Sequence, residues 1–436
     1  MSAKLYFKIL FMSRFLYSFL LYLLSPAILL HLWLRGKKSP DYRKRWHERF
    51  GFIANHNIKK NAIVFHCASV GEVVAATPLI KKIQHRYTQY PIVITCNTPT
   101  GTEQIKRSFD NSVEHVYLPL DFPDAIYRFL KHLKPKMVCI LETELWPNLI
   151  SQSNNRKIPL VVLNARLSEK SFLGYKKVAP LSKLIMNGIT QLAAHDKIDA
   201  QRFVQLGLDK NKIHNTGSIK FDIQLDSKKQ QESAKLKQQF SSKSPIWIAG
   251  STHPGEDELL ISAHKKLLKS HPDALLILVP RHPERFDAVA QLVKIDSLSM
   301  QKRSELNNKI TSQVLLGDTM GELSSLYGAA DVAFIAGSLI ERGGHNPLEA
   351  SAYGIPVITG PHIFNFLHVY PELLKQQGCL KISSIDELTP LLINLFSDTS
   401  FNQKVGKQGA LFVEKNQGAI DKTIQIISEQ LTLRHS

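Results

Sequence analysis

The fold is decided by the stretch NAIVFHCASVGE, residues 61–72, which joins an apolar run to a short polar turn. Residues 61–65 have the length and composition of a buried strand, and residues 73–87 have the apolar spacing of a helix. This order places Ser69, Gly71 and Glu72 at the carboxyl edge of a parallel sheet, where open α/β folds bind ligands. Taken alone, a glutamate at a helix start is more readily a cap than a catalytic group, because the free N–H groups stabilise its charge.

The same alternation of strand and helix signals continues along the chain and then repeats. Apolar runs of strand length, each followed by a polar loop, lie at 91–96, 136–141, 159–163, 245–249, 274–279 and 332–336. A Lys/Gln/Ser-rich stretch at about 218–244 separates the two halves. We therefore predict two doubly wound α/β domains, at 46–225 and 226–425, a tail at 426–436, and an active site in a cleft between the domains.

The amino terminus has the features of an uncleaved membrane anchor. Residues 15–34 contain no Asp, Glu, Lys or Arg, and they are about long enough to cross a bilayer. They lack a small-residue cleavage site, and a cluster of Lys and Arg follows them. We predict that residues 1–45 form an anchor with a basic flank that keeps the domains on the cytoplasmic side. Whether the anchor spans the bilayer or lies in its surface stays open, and a helix buried against the first domain is the alternative.

The charge of the chain restricts the class of partner. A formal net charge of +18 predicts an anionic partner. No aromatic-interleaved basic motif or zinc-finger spacing occurs, so we do not expect nucleic acid. An anionic membrane surface, a phosphorylated lipid or a nucleotide-linked sugar acid accounts for the charge equally well.

The cysteines lack metal-type spacing, and we predict that they are buried free thiols: Cys67, Cys96, Cys139 and Cys379.

Polar loops that follow strands in the second half predict a nucleotide site. Ser251 and Thr252 follow Gly250 and offer hydroxyl and backbone N–H donors to a phosphate. The remaining loops contain Arg281, His282, Gly321, Glu322 and the turn at 343–349, where Glu349 can accept from ribose hydroxyls. No G-x-G-x-x-G, G-x-x-x-x-G-K-[ST], Asp-x-Asp pair or His-rich cluster occurs. We therefore expect no metal ion or bound cofactor, and we expect N–H groups and Lys/Arg to neutralise a leaving phosphate.

Strand-end loops of the first half hold the residues suited to proton transfer. They are Glu72, Glu142, Glu144, Arg166 and Lys220. Two carboxylates that face one cleft can divide the roles of base and stabiliser.

At these loops the chain resembles the Kdo (3-deoxy-D-manno-octulosonic acid) transferases of lipopolysaccharide synthesis. The similar motifs run in order along the chain: HCASVGE at 66–72, ETELWPN at 142–148, NARLS at 164–168, GSIKFD at 217–222, GSTH at 250–253, PRHPER at 280–285, DTMGEL at 318–323 and GGHNPLE at 343–349. Asn-Pro-Leu-Glu alone recurs in many nucleotide-sugar transferases, whereas the combination is specific.

The resemblance implies an inverting GT-B glycosyltransferase of the bacterial inner membrane, with two Rossmann-like domains. It would move Kdo from CMP-Kdo onto the 6-hydroxyl of the lipid A precursor, lipid IVA, with Glu72 as general base. Glu142, favoured over Glu144, would act with Lys220 to hold the acceptor and the developing charge. The residues implied in substrate binding are Ser69, Gly71, Glu144, Arg166, Ser251, Thr252, Arg281, His282, Met320, Gly321, Glu322, Asn346, Pro347, Leu348 and Glu349, of which Arg281, His282, 320–322 and 346–349 would hold CMP.

Two other functions are compatible with parts of the pattern. A membrane-associated GT-B enzyme that uses a UDP-sugar would share the donor loops, but it would have no reason to carry both the 66–72 and 142–148 motifs. A basic, membrane-tethered protein that binds nucleic acid or anionic lipid without catalysis would show salt-sensitive binding unaffected by Glu72→Gln. The sequence indicates neither the number of Kdo units added nor the oligomeric state.

Overall fold

The computed structural model describes residues 3–432 except 54–57, 224, 226, 242–243, 307–308 and 368. Two compact units are formed, one by residues 1–222 with 417–436 and the other by residues 223–416. The polypeptide therefore returns to the first unit at its C-terminal end, whereas the sequence placed a boundary at 425 and a tail at 426–436. Likewise, the helix of the predicted anchor belongs to the first unit.

The C-terminal helix is capped by Asp222 and packs on the first unit, which explains the return of the chain. Backbone N–H groups of Gly418 and Ile420 donate to the carboxylate of Asp222, at the start of the helix Ala419–Thr432. The apolar face of this helix, with Ile424 and Ile427, packs into the core of the first unit. Residues 426–432 are thus a packed helix, because their apolar side chains find their partners in the first sheet.

The first unit contains a seven-stranded parallel sheet in the order β3-β2-β1-β4-β5-β6-β7. The order reverses between β1 and β4, so ligands are expected at the carboxyl ends of these strands. The strands are β1 Ile63–His66, β2 Ile92–Cys96, β3 Glu114–Tyr117, β4 Met137–Leu141, β5 Leu160–Ala165, β6 Gln191–Ala194 and β7 Ile213–Asn215. The helices are α1 Ala3–Lys38, α2 Trp46–Arg49, α3 Val70–Arg86, α4 Pro99–Phe109, α5 Pro123–Leu133, α6 Pro147–Asn155, α7 Glu169–Lys177, α8 Ala179–Gly188, α9 Lys197–Gln205 and, from the C-terminal end, α18 Ala419–Thr432.

The second unit contains another seven-stranded parallel sheet, in the order β10-β11-β9-β8-β12-β13-β14. Its strands are β8 Ile246–Thr252, β9 Leu275–Pro280, β10 Met300–Lys302, β11 Val314–Leu316, β12 Val332–Ile335, β13 Val357–Thr359 and β14 Leu380–Lys381. Its helices are α10 Ser227–Gln239, α11 Asp257–Leu268, α12 Phe286–Ile295, α13 Leu323–Ala329, α14 Leu348–Ala352, α15 Tyr370–Lys375, α16 Leu388–Ser397 and α17 Thr399–Asn416. The predicted class of two doubly wound parallel α/β domains is confirmed.

Helices cover both faces of the first sheet, which is why its strands are apolar throughout. Val64 packs in one core cluster, whereas its neighbours Ile63 and Phe65 pack in the cluster on the opposite face. This alternation follows from the two-residue repeat of a strand.

The four cysteines are free and buried, as predicted.

Helix α1 contacts the first unit through a polar stripe spaced by four residues. Arg14 donates to Ser151 Oγ at 2.5 Å, and Ser18 exchanges hydrogen bonds with the side chain of Asn148 at 3.0 and 3.3 Å. One turn further on, Tyr22 donates to Asp124 at 2.5 Å. Positions four apart share one helix face, so this stripe seats the helix on the unit.

The remaining surface of α1 is exposed and apolar. Phe15 and Leu23 are 66% and 65% exposed, and Phe19 is also exposed. Residues Met12–Lys37 are long and apolar enough to cross a membrane, although length and composition are weak evidence by themselves. The side chains do not fit the alternative of a helix buried against the first domain, because most of them face outward.

Candidate functional site

Glu72 lies in the first turn of α3, directly after the central strand β1. Its carboxylate accepts hydrogen bonds from Ala68 N at 2.8 Å and from the Ser69 hydroxyl at 2.9 Å, while Ser69 Oγ accepts from Glu72 N at 3.3 Å. This arrangement resembles a capping box. Burial, with a smaller contribution from the charges of Glu142 and Glu144, raises the pKa of Glu72 to about 7 in spite of the two donors. Glu72 therefore caps its helix and also has the pKa of a general base that works near neutral pH.

Glu142 follows β4 with its backbone in the left-handed region, at a φ of 56°. Its N–H donates to Leu163 O at 2.9 Å, which keeps the residue at the sheet edge. Lys220 Nζ donates to Glu142 Oε1 at 3.0 Å, and both side chains are about one-third exposed. Because non-glycine residues pay a conformational penalty at positive φ, the surrounding contacts must hold Glu142 in this orientation.

Asn164 connects this ion pair to the neighbouring strand. It is buried at the end of β5, and its side-chain oxygen accepts from Ile219 N at 3.1 Å. Ile219 begins the short 3-10 helix Ile219–Phe221 that contains Lys220. The Asn164 side chain thus fixes the loop from which Lys220 reaches Glu142.

Glu144 has an environment that favours its ionised form. The His66 imidazole lowers the pKa of Glu144, and an indole N–H bond from Trp146 at 3.1 Å lowers it further, against the effect of burial. His66 Nε2 lies 3.9 Å from the carboxylate, too far for a good hydrogen bond, while His66 Nδ1 lies 3.0 Å from Thr95 Oγ1. The pKa values of Glu72 and Glu144 are thus shifted in opposite directions, which is typical of sites that separate an acid or base from a permanent charge.

Three other residues predicted for the first half lie at exposed positions of the same sheet edge. The side chains of Ser69 and Arg166 are exposed, and so is Gly71. Arg166 follows β5, and its carbonyl oxygen accepts from the Thr143 hydroxyl. These residues are therefore accessible to a ligand.

A buried carboxylate organises the loops of the second unit. Glu256 is fully buried, and it accepts from His253 N at 3.1 Å in the loop after β8. It also accepts from three consecutive N–H groups after β12, those of Gly337, Ser338 and Leu339, at 2.8 to 3.1 Å. Glu256 was not predicted as a site residue, because a Glu beside a turn glycine gives no signal that distinguishes it from an ordinary cap.

The loop after β8 is braced by an internal ion pair. Arg285 pairs with the fully buried Asp257 and donates to Thr252 O at 2.9 Å. The Thr252 hydroxyl donates to Asp257 at 2.5 Å and is itself buried. The predicted role of Thr252 as a hydroxyl donor to substrate therefore does not fit its position. Ser251 is also mostly buried, with a φ of 64°.

Two histidines that were not predicted as site residues meet at the same edge. His253 Nε2 and His345 Nε2 are 2.9 Å apart, and the His282 ring contacts His253 edge to face with ring centres 5.7 Å apart. Arg281 and His282 are exposed, as a binding role requires. The motifs contained both new histidines, but only the fold shows that residues 92 positions apart form a pair.

The loop at 318–322 is held by residues that follow β10. Glu322 accepts from Arg303 at 2.9 Å and from the Thr319 hydroxyl. Met320 is exposed, and Gly321 adopts a φ of +88°. Among the described residues, no atom other than those of Gly321 and its two chain neighbours lies within 4 Å of the position that a Cβ on Gly321 would take, so the space beside it is open. The exposed part of this predicted site is therefore 320–321, whereas the Glu322 carboxylate already has two partners.

The turn at 346–349 contains one free carboxylate. Asn346 Oδ1 accepts from Leu348 N at 3.1 Å, and the Leu348 side chain is fully buried. Leu348 therefore does not fit its predicted substrate contact, while Pro347 is buried at the start of α14. Burial raises the pKa of Glu349, and within the described ranges this carboxylate has no hydrogen-bond or ion-pair partner. Such a group is ready to accept hydroxyl donors.

One group of possible metal ligands occurs in the part of the chain that the structure describes. Donor atoms of His195, Asp196 and Asp199 lie within 4.8 Å of one another, beyond the end of β6. Asp199 already accepts from Leu167 N at 2.8 Å, and Arg202 lies 3.8 Å from it. Since the local backbone and an arginine occupy this carboxylate, the group fits a structural cluster, and the expectation of a metal-independent reaction stays a prediction.

Comparison with known proteins gives two family matches. Residues 44–223 match the family described as 3-deoxy-D-manno-octulosonic-acid transferase (kdotransferase), and residues 256–412 match glycosyl transferases group 1. The 3-deoxy-D-manno-octulosonic acid transferase of Haemophilus influenzae is 43% identical over 96% of this chain and 99% of its own. A probable mitochondrial 3-deoxy-D-manno-octulosonic acid transferase of Arabidopsis thaliana is 36% identical over 85% of this chain and 84% of its own.

Solved structures share the fold at low sequence identity. A putative UDP-N-acetylglucosamine 2-epimerase from Listeria monocytogenes aligns with a TM-score of 0.56 at 12% identity, covering 86% of this chain and 97% of its own. A glycosyltransferase from Rickettsia africae aligns with a TM-score of 0.52 at 15% identity, covering 86% of this chain and 99% of its own. At these identities the similarity is one of fold alone.

Proposed function

Because this chain belongs to the 3-deoxy-D-manno-octulosonic acid (Kdo) transferase family, we propose that it transfers Kdo from CMP-Kdo to the 6-hydroxyl of lipid IVA with inversion. The observation that supports this most is Glu72, whose carboxylate has a pKa of about 7 at the carboxyl edge of the first sheet. A base with this pKa removes a hydroxyl proton at neutral pH only while it is ionised, so the reaction needs its carboxylate form.

In the proposed reaction, the acceptor oxygen attacks the anomeric carbon of Kdo while Glu72 takes its proton. The new C–O bond forms as the bond between that carbon and the phosphate oxygen breaks, and CMP leaves with the bonding electrons. A single displacement inverts the anomeric centre, and it needs one base near the acceptor with no covalent enzyme intermediate.

Glu142 and Lys220 position the acceptor in this proposal. Their ion pair presents an ammonium group and a carboxylate to sugar hydroxyls. Lys220 lies in the loop that Asn164 holds in place, and Glu142 follows β4. Glu144 stays ionised and adds negative potential, which contributes to the raised pKa of Glu72. The three carboxylates thus have separate roles, with Glu72 as the group that titrates during turnover.

The donor is assigned to the second unit. The exposed side chains of Arg281 and His282 are suited to bind the phosphate of CMP-Kdo. The exposed loop at 320–321 would contact the cytosine base, and the Glu349 carboxylate would accept from the ribose hydroxyls. We propose no metal ion, because arginine side chains and N–H groups can neutralise the leaving phosphate.

The acceptor is a lipid, and the exposed surface of α1 suits a protein that meets it at a membrane. The apolar side chains of the helix would enter the bilayer, and the exposed basic residues Arg35, Lys37, Arg43 and Lys44 would bind lipid phosphates. We propose the bacterial inner membrane with both units on the cytoplasmic side. The positive-inside rule supports this orientation.

Exchange of the donor tests the proposal directly. The full-length protein in detergent is incubated with tetraacylated lipid IVA and either CMP-Kdo or a UDP-hexose, and the products are resolved by mass. We expect a mass increase of one or more Kdo units with CMP-Kdo only. Transfer from the UDP-sugar alone would contradict the donor assignment, and the absence of transfer to lipid IVA with turnover on another acceptor would contradict the acceptor assignment.

A further inference from the structure

The His253–His345 pair has the geometry of a hydrogen bond between two imidazole rings. The two Nε2 atoms are 2.9 Å apart, the ring planes differ by 6°, and the ring centres are 5.1 Å apart. Each ring centre lies about half a ring width from its own Nε2. The distance between the two centres is therefore close to the largest value that the Nε2–Nε2 distance allows, which is reached when the two Nε2 atoms lie on the line between the centres. The rings therefore meet edge to edge in a common plane, with one Nε2 as donor and the other as acceptor.

The surrounding backbone holds the pair in place. Glu256 ties the His253 N–H to the loop after β12, as described above. His345 N donates to Ala336 O at 3.2 Å, and Gly344 N donates to Gly337 O at 2.7 Å, so His345 is fixed to the same loop. A Cβ on Gly337 would lie 3.0 Å from the His345 ring, so glycine leaves room for the pair.

Only one proton can occupy the space between the two Nε2 atoms. In the neutral pair, the ring that donates through Nε2 has a bare Nδ1, and the other ring has an N–H at Nδ1. A further proton on the bare Nδ1 makes a charged pair with an N–H at each outer end. Among the described residues, neither Nδ1 has a hydrogen-bond partner, so both ends are available to a ligand.

Cations around the pair keep it neutral when no anion is bound. Burial, with a smaller contribution from neighbouring His and Arg side chains, lowers the pKa of His253 and of His345 to about 4 each. The titratable and charged groups that face the pair are His282, Arg281, Arg285 and Arg342, together with the Glu256 carboxylate that accepts from His253 N and the Asp257 carboxylate that pairs with Arg285. An anion among these groups would offset the repulsion and stabilise the protonated pair.

We propose that the His253–His345 pair contacts the phosphate group of the nucleotide donor and takes up one proton when that phosphate binds. The proposal rests on the proposed function for the identity of the ligand, a cytidine phosphodiester. It assigns a role to two residues outside the predicted site, and it makes donor binding proton-coupled: the enzyme binds H⁺ with the donor and releases it with CMP.

Calorimetry with a probe that does not titrate near neutral pH tests the proposal. Cytidine 5′-methyl phosphate is a phosphodiester, so any proton taken up on its binding belongs to the protein. Titrations of the full-length protein at pH 5.5 in buffers of different ionisation enthalpy give the number of protons taken up. We expect a value that approaches one, and a Kd that rises up to about tenfold per pH unit between pH 5 and 6 before it levels off.

Variants and a second probe show whether the proton that is taken up binds to the His253–His345 pair or to another group. In the double variant His253→Gln/His345→Gln we expect proton uptake near zero and a weaker, pH-independent Kd. The half-buried His271, which lies at hydrogen-bond distance from Ser270 in the same unit, provides the control His271→Gln, for which wild-type uptake is expected. Cytidine, which lacks the phosphate, should bind without proton uptake. Ring ¹⁵N shifts of histidine-labelled wild type should show a new imidazolium signal with the methyl phosphate, and this readout needs no substitution.

The outcomes distinguish the inference from the function on which it rests. Binding of the probe without proton uptake, or unchanged uptake in the folded double variant, overturns the role of the pair and leaves the donor assignment intact. Equal uptake with cytidine overturns the assignment of the contact to phosphate. If neither cytidine 5′-methyl phosphate nor cytidine binds, the proposed donor is contradicted and the inference falls with it.

Discussion

Lys220 Nζ lies 3.0 Å from Glu142 Oε1, although 78 residues separate them in the chain. The pair forms where the left-handed backbone of Glu142 turns its carboxylate toward the loop that Asn164 holds. At about one-third exposure, this ion pair stabilises the fold only slightly. The Glu142 charge also raises the pKa of Glu72, and we propose that the pair acts in the reaction and not mainly in stability.

Lys220→Met should separate function from stability. We expect transfer to fall by about 100-fold, because a charge that stabilises the transition state is lost, while Tm changes by no more than about 2 °C. The matched control is Lys82→Met, which breaks the 2.9 Å exposed ion pair with Asp421 in the same unit. Equal activity losses in both variants would show that the Lys220 effect is not specific to the site.

The pH dependence of transfer should follow Glu72. Its folded pKa of about 7 predicts that kcat/KM rises with pH through about 7 and then levels off, since only the carboxylate removes a proton. A profile that is flat between pH 6 and 8 under conditions where chemistry is rate-limiting would contradict this assignment.

The same shift predicts a stability effect. The pKa of Glu72 is raised from 4.5 in an exposed carboxyl to about 7 in the folded state, so the folded protein binds more protons between these values. The contribution of Glu72 to stability is therefore lost as pH rises from 4.5 to 7. Glu72→Gln should remove this dependence and be at least as stable as wild type at pH 8, by thermal unfolding in a pH series. A variant that is much less stable at pH 8 would point to helix capping by the ionised group as its main role.

Asp121 should be a stability residue that joins the anchor helix to the 142–148 motif. Its buried carboxylate accepts from Asn148 N at 2.8 Å and from Leu149 N at 2.9 Å, and the Asn148 side chain bonds Ser18 of α1. Asp121→Ala leaves two buried N–H groups without partners, which should cost about 2–5 kcal/mol in the free energy of unfolding. The exposed Asp124→Ala should cost less than about 1 kcal/mol. Denaturant unfolding of both variants in the same detergent provides the comparison, and equal costs would refute the role of Asp121.

The exposed apolar side of α1 should carry most of the membrane affinity. Replacement of Phe15, Phe19 and Leu23 by Ser leaves the polar stripe intact but removes three large side chains that face outward. We expect binding to vesicles that contain anionic lipid to fall by more than about 100-fold, at roughly 1.5–3 kcal/mol per buried side chain. Ile295→Ser, at an exposed position of the second unit, is the control and should bind as wild type. Unchanged vesicle binding of the triple variant would show that charge alone holds the protein to the surface.

Local signals in the sequence predicted the sheets well. Apolar strands covered on both faces, such as Ile63–His66, produce continuous hydrophobic runs, and the polar turns that follow them mark the binding edge. The location of Glu72, Glu142 and Lys220 in loops after strands therefore followed from the strand ends, whereas the roles proposed for them came from the family resemblance.

Long-range relationships could not be predicted in this way. No local pattern shows that Asp222 caps the C-terminal helix, or that His253 and His345 lie within hydrogen-bond distance of each other. Thr252 looks like a ligand-binding group in the sequence, and Glu256 looks like an ordinary cap, because burial and internal partners become visible only in the fold.

The central claim is that Glu72 is the general base, and single-turnover transfer tests it most directly. Wild type, Glu72→Gln and the exposed control Glu103→Gln are each saturated with CMP-Kdo and mixed with lipid IVA, and product is followed by mass. We predict that Glu72→Gln binds CMP-Kdo normally and transfers Kdo at least about 100-fold more slowly, while Glu103→Gln matches wild type. Transfer by a folded Glu72→Gln within about threefold of wild type would contradict the assignment.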